Sequence, residues 1–321
     1  MTAPVGGFVF LFAAALSAAE PKSCAPCHTR ETEAFAASPM TLALKPATAA
    51  ARHLTVTLGP YTYAIDGAAY TVADSSGSLR IPLEWAFGNA NAGQTYVYQR
   101  EGKWYESRVS YFAATRKLDL TLGADPAPHN LIEAAGRLAP ATEMRQCFDC
   151  HATGIPKSVP VSLDNMTVGV QCERCHGPSE AHLATNAPMR KLSALTTEQL
   201  SDFCGQCHRT WSQVAASGPH GIQNVRFQPY RLASSRCYDA ADARIKCTAC
   251  HDPHRAVVTS AAFYDAKCTA CHSAAGRAHR CRVASANCAT CHMPKLDLPG
   301  AHQKFTDHRI RIARANEAYP D

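Results

Sequence analysis

The chain has 321 residues, with 16 Cys, 15 His and a formal net charge of +6. Cys amounts to about 5% of the residues, below the roughly 8–10% of a disulfide-stapled miniprotein. Fourteen of those Cys fall in seven copies of Cys-x-x-Cys-His, where chance at this composition gives roughly 0.04 copies. Composition and spacing together exclude a disulfide scaffold, a disordered chain and an enzyme built on a conventional apolar core.

From the N-terminus, the first element is an apolar run, Phe8 to Leu16, followed by Ser17, Ala18, Ala19 and Glu20. Small residues at Ser17 and Ala19 fit export and cleavage after Ala19, although no Lys or Arg precedes the run. The apolar stretch from Val5 to Ala19, 15 residues long, falls short of the roughly 20 needed to span a bilayer. Residues 1–19 are therefore expected to be a signal peptide, with a retained N-terminal anchor as the alternative. The mature chain is expected to be periplasmic or extracellular and to touch membranes only peripherally.

The attachment motifs, numbered in order, are Cys24/Cys27/His28, Cys147/Cys150/His151, Cys172/Cys175/His176, Cys204/Cys207/His208, Cys247/Cys250/His251, Cys268/Cys271/His272 and Cys288/Cys291/His292. Cys-x-x-Cys-His is the covalent attachment signature of c-type haem. The two thiols add across the vinyl groups and the adjacent His binds iron from one face. Zinc does not require His after every Cys pair, and seven pairs do not close evenly into four-Cys sites. A thioredoxin-like motif needs a βαβ context and does not recur seven times. The expected cofactor is haem c, seven per chain.

Residues 20–50 form a first haem segment. Between motifs 1 and 2, period-two alternation runs through His53–Leu58, Tyr61–Ile65, Tyr70–Val72, Thr95–Tyr98 and Trp104–Phe112, the pattern of half-buried strands. Asp66-Gly67 and Glu101-Gly102-Lys103 read as hairpin turns. A β-rich insert over residues 51–125 is expected, serving to pack over haems or as a docking surface. Six motifs then crowd into 126–321, at intervals of 25, 32, 43, 21 and 20 residues after motif 2. So dense a segment leaves the porphyrins to serve as core, with short helices such as Thr197 to Cys207 between loops. The expected class is α+β: a loop-rich, mainly α/irregular haem array with a β-rich insert.

Several stretches resemble the multihaem c-type cytochromes of soil and marine bacteria that are often fused to tetratricopeptide repeats. The carrying residues are Cys172-Glu-Arg-Cys-His-Gly-Pro178 with His182, Tyr230-Arg-Leu232 with Ser235-Arg-Cys237, and Cys247-Thr-Ala-Cys-His-Asp-Pro-His254. Cys291-His-Met-Pro-Lys295 and Thr306-Asp-His-Arg-Ile310 belong with them. The helical repeats of the fused forms do not occur in these 321 residues. The resemblance implies electron transfer through low-spin, six-coordinate haems.

Seven His are proximal ligands by their motifs, which leaves His53, His129, His182, His220, His254, His279, His302 and His308. A second His at the sixth position gives a low-potential carrier, Met raises the potential, and an open position permits chemistry on small molecules. His254, three residues after His251, cannot easily reach the far face of its own haem and is expected to serve a neighbour; His182 follows the same logic. The resemblance implies distal roles for His182, His254 and His308, and places His53 and His129 at matching positions. Met40 stands where related cytochromes place a distal residue, so His28/Met40 ligation is a further expectation. Cys237 and Cys281, outside the motifs, are expected to form a disulfide in an oxidising compartment, or else to remain separate thiols.

Two other readings compete with a carrier. One is a multihaem oxidoreductase with an open-site haem acting on small nitrogen or sulfur species, although no Cys-x-x-Cys-Lys attachment is present. The other is a polymerising extracellular conduit. Haem propionates reverse the meaning of the positive charge. Two carboxylates against one ferric charge contribute about −7 over seven haems, so the oxidised holoprotein is nearly neutral. The expected partners are other redox proteins, such as cytochromes or quinol-linked donors, with self-association under the conduit reading and no nucleic acid.

Overall fold

The computed structural model describes residues 23–50, 52–218, 220–242, 244–273, 281–314 and 316–320. The apolar export stretch and His279 lie outside them. The fold is α+β.

Strand β1 (Leu44–Pro46) precedes an antiparallel meander of β2 (Arg52–Leu58), β3 (Tyr61–Gly67), β4 (Ala69–Asp74) and β5 (Gly77–Pro82). A second sheet holds β6 (Trp85–Phe87), β7 (Gly93–Arg100), β8 (Lys103–Phe112) and β9 (Lys117–Leu120). Its order is β1-β6-β7-β8-β10, where β10 is Gly136–Leu138 and β9 also pairs with β8. The β7–β8 hairpin turns through Glu101 at φ 52° and Gly102 at φ 70°. Two successive positive φ values suit a type I′ turn, whose twist matches the flanking strands. Period-two alternation turns Tyr61, Tyr63 and Ile65 of β3 inward. They meet Tyr96, Tyr98, Val109 and Tyr111 of the second sheet in one buried cluster. The strands expected over residues 51–125 thus gain partners from outside that range.

Short helices carry the rest. Helix α1 (Thr29–Ala36) follows motif 1, and α2 (Leu131–Ala135) is capped by the Asn130 side chain, which accepts from the Ile132 and Glu133 amides. Helix α3 (Ala141–His151) ends in motif 2 and buries Met144 and Phe148 against Leu44, Trp85, Phe87 and Val97 of the second sheet. That apolar seam fixes the β unit to motif 2. Beyond it come α4 (Cys172–His176), α5 (Glu180–Thr185), α6 (Thr197–His208), α7 (Trp211–Ser217), α8 (Gln228–Ala233), α9 (Cys247–Cys250), α10 (Ala261–His272) and α11 (Cys288–His292). Helix α6 opens with a capping box between Thr196 and Gln199. Two strand pairs, β11 (Ala152–Thr153) with β12 (Thr167–Val168) and β13 (Lys295–Asp297) with β14 (Lys304–Thr306), tie down loops.

Between Cys172 and His292, the buried aliphatic and aromatic side chains among the described residues are Leu200, Val214, Val225 and Pro229. Helices this short are marginal without an apolar face to pack. The array therefore does not resemble the β unit energetically.

Cys237 and Cys281 are both free thiols, which corrects the expected disulfide. Cys237 lies beside Cys250, Cys268 and Cys271 of motifs 5 and 6. Cys281 is exposed and accepts hydrogen bonds from the Val283 and Ala284 amides.

Candidate haem sites

Motif 1 is a hydrogen-bonded turn that leads into α1, and the Cys pairs of the other motifs lie on helices. In motif 1 the His28 amide donates to the Cys24 carbonyl at 2.9 Å, and in motif 5 the His251 amide donates to Cys247 at 2.9 Å. Residues at i and i+3 share one helix face, so both thiols of a motif point the same way and the imidazole follows them.

The imidazoles are oriented by their second nitrogen. Nδ1 of His151 donates to the Ala43 carbonyl at 2.9 Å, that of His176 to Arg190 at 3.0 Å, and that of His292 to Arg311 at 2.9 Å. His182 uses the Ala187 carbonyl at 2.9 Å, His308 the Thr306 carbonyl at 3.0 Å, and His208 the Gln228 side-chain oxygen at 3.2 Å. A carbonyl only accepts, so Nδ1 carries the proton and Nε2 presents a lone pair, the arrangement typical of metal-ligating His. Burial also lowers the pKa of His151, His208 and His251, and brings that of His308 to about 4. These rings are held in the neutral form that a metal requires.

Three pairs of rings face one another. His28 and His182 stand 6.3 Å apart between ring centres, His176 and His254 6.1 Å with planes 7° apart, and His251 and His308 6.2 Å. Two imidazoles bound to opposite sides of one metal, each with its nitrogen about 2 Å away, have ring centres about 6 Å apart. In every pair one member is the His of motif 1, 3 or 5. The other follows motif 3, 5 or 7. Among the described residues no three His, Cys, Asp or Glu side chains converge as a metal-ion site.

The remaining expected ligands are placed differently. His53 is exposed on β2 and pairs through Nδ1 with Asp66 at 2.6 Å. His129 is exposed, with its amide donating to Glu133 at 2.8 Å. His302 bonds Asp119 at 2.9 Å and packs on Phe112, which fastens the C-terminal loop to the β unit. None of these three stands beside a motif imidazole among the described residues. Met40 is half-buried; its carbonyl accepts from Val170 at 3.0 Å, and the ring facing His28 is that of His182.

Neighbouring motifs touch. The thiols of Cys24 and Cys172, Cys150 and Cys207, Cys204 and Cys247, and Cys268 and Cys288 are neighbours. Arg174 of motif 3 donates to the Asp149 carbonyl of motif 2 and to the Gln206 side chain of motif 4, both at 3.3 Å. Asp265, three residues before Cys268, accepts from the Asn287 and Cys288 amides of motif 7 at 2.7 and 2.8 Å. Cys250 and Cys268 bring motifs 5 and 6 together. The residue order is thus 1–3–4–5–6–7, with motif 2 lodged against both 3 and 4.

Sequence reasoning missed two features here. The aromatic wall beside motif 2 puts Phe87 5.3 Å from His151 and 5.1 Å from Phe148, with Trp104 5.8 Å from Phe148. The acceptors for Nδ1 were also not foreseen. Most are backbone carbonyls, which leave no signature in residue type.

Residues 107–177, spanning motifs 2 and 3, match the family of cytochrome c554 and c-prime. The multiheme cytochrome MtrA of Shewanella baltica (strain OS185) is 28% identical over 187 residues, which is 53% of this chain and 50% of that protein. The chain is a multihaem c-type cytochrome. It spans about half the length of this curated relative. The solved structure of the outer cell wall cytochrome OcwA covers 90% of the cytochrome, and 78% of its own length, at a TM-score of 0.58 and 13% identity, a likeness of fold. Haem c fits the donor set: paired thiols on one helix face, a neutral imidazole beside them, and facing imidazoles at the separation two axial ligands require.

Proposed function

We propose that the cytochrome carries electrons between redox proteins outside the cytoplasm, along seven covalently held haems. The observation that carries this reading is the run of neighbouring motifs in the order 1–3–4–5–6–7, tied by hydrogen bonds from Arg174 to Gln206 and from Cys288 to Asp265. Haem c, when bound, supplies one reversible one-electron couple at each site. Cys24 and Cys27, and their counterparts in the other motifs, hold the groups covalently. His28, His151, His176, His208, His251, His272 and His292 are the proximal ligands. His182, His254 and His308 close the sites of motifs 1, 3 and 5, so that His182 takes the role expected of Met40. A second imidazole facing three of the seven motif His supports a carrier at those sites, whereas an oxidoreductase needs an open coordination position.

The chain's own residues set the conditions for transfer. Carbonyl acceptors on Nδ1 fix the rings of His151, His176, His182, His208, His292 and His308 and raise their basicity as ligands. The β unit seals His151 behind Phe87, Phe148 and Trp104, which lowers the local dielectric around motif 2. Lys and Arg side chains balance the propionates. Among the described residues no helix is long and apolar enough to cross a membrane. Partners are other cytochromes or quinol-linked donors that meet an end of the series.

Mass spectrometry and rapid reduction kinetics of the mature holoprotein test the proposal. It requires a mass increment of seven haems, and all of them reduced in one connected process by a small donor protein. Fewer haems, or a fraction that stays oxidised until the donor is replaced by a permeating reductant, would count against it.

A further inference from the structure

Arg231 leads the fully buried side chains of the described residues, in a region with few buried apolar groups. It lies on α8, and its Nε and Nη2 donate to Oδ1 and Oδ2 of Asp307 at 2.9 and 3.0 Å. Both side chains have 0% exposure. Nη1 donates to the Pro320 carbonyl at 2.8 Å, and the Tyr319 ring lies 4.5 Å from the guanidinium carbon. Asp307 also accepts from the Arg309 amide at 3.0 Å and from Arg311 Nη1 at 3.1 Å.

A buried ion pair is weak evidence for stability, because desolvation offsets most of the attraction; its best-attested use is to fix register. Asp307 directly precedes His308. Two residues beyond that His, the Ile310 amide donates to Ser235 Oγ at 2.8 Å, and the same hydroxyl donates to the His308 carbonyl at 3.1 Å. Both flanks of His308 are therefore pinned to α8 and the turn after it. We propose that Arg231 and Asp307 are positioning residues, which hold the C-terminal segment in the register that sets His308 opposite His251. The planar guanidinium suits this task, because a two-point bond to a carboxylate fixes angle as well as distance. The proposal rests on the reading of His308 as the ligand that closes motif 5.

Electron paramagnetic resonance of the oxidised holoprotein tests it, with total haem quantified in parallel. His308→Met comes first: one haem per chain should exchange bis-His for His/Met character. An unchanged spectrum there would overturn both the ligand reading and the proposal. Arg231→Met combined with Asp307→Leu removes both charges, and so leaves neither one buried alone. This double variant should lose low-spin intensity equal to one haem per chain, gain high-spin ferric signal of the same size, and recover when free imidazole is added. Arg231→Lys, which keeps the charge and loses the fork, should show a smaller high-spin fraction. If His308→Met changes the spectrum while the double variant keeps every haem low-spin, positioning is wrong and the ligand reading stands. Loss spread over all haems would assign the pair to general stability and equally overturn the proposal.

Discussion

His182, His254 and His308 each lie just after one attachment motif and face the imidazole of another. His254 sits three residues beyond His251, yet its ring faces His176, parallel to it with centres 6.1 Å apart. His254→Met should convert one bis-His haem to His/Met, adding a sulfur-to-iron band in the near infrared and raising the potential of one couple. At motif 4 the acceptor for Nδ1 is a side chain, Gln228, rather than a carbonyl of the main chain. Gln228→Leu weakens the basicity of His208, so a potentiometric titration should show one couple shifted upward and the others unmoved. The residues at these sites were legible to different degrees. Thiols and proximal His are written in contiguous pentapeptides. A distal His is recognisable as a spare His near a motif, while its partner is set by packing across more than a hundred residues, as for His28 and His182. His53 shows the converse: its place on an exposed strand opposite Asp66 follows from cross-strand register.

Helix α3 is the element that couples the two halves. Phe148 and Met144, four residues apart, face Trp85, Phe87 and Leu44, and Phe148 is fully buried. Phe148→Ala should cost about 3–5 kcal/mol of stability, read from the urea midpoint of the holoprotein. The same change should expose motif 2 to solvent. The β2–β3–β4 meander was readable because period-two alternation and turn residues agree. Strands β1 and β10 were not. Each has three residues, too few to show a period, and each is extended only because a longer strand offers an edge: β1 pairs with β6, and β10 with β8. A helix was expected over Thr197 to Cys207, and α6 forms there, capped by Thr196 and Gln199. The four-residue α9 has no such side-chain cap.

Across the whole molecule, the ligand pairs leap over intervening motifs: 1 with the segment after 3, 3 with the segment after 5, and 5 with the segment after 7. Each closure draws a later segment back onto an earlier one, so the array is interlocked rather than strung out. With Leu200, Val214, Val225 and Pro229 as the buried apolar side chains of its central stretch among the described residues, the array depends on its macrocycles for a core, whereas the β unit has its own. Protein made without haem attachment should therefore keep a protease-resistant fragment covering Leu44–Leu138 and lose the region from Cys172 to His292 to limited digestion. Equal resistance of both parts would show that the array packs by itself. The sequence pattern indicated this division, since six motifs in so short a span leave no room for a conventional core. It did not show that motif 2 sits against motifs 3 and 4, a contact made through Arg174 that no local spacing announces.

The central claim is that a single connected series of haem sites runs through the chain, three of them closed by a second His. A density map of the haem-loaded protein, at a resolution that shows axial ligands, tests it most directly. The account predicts seven irons. Three of them should lie between His28 and His182, His176 and His254, and His251 and His308, and no macrocycle should stand apart from its neighbours. A different residue opposite His28, His176 or His251, or a gap that isolates any one motif from the rest, would contradict it.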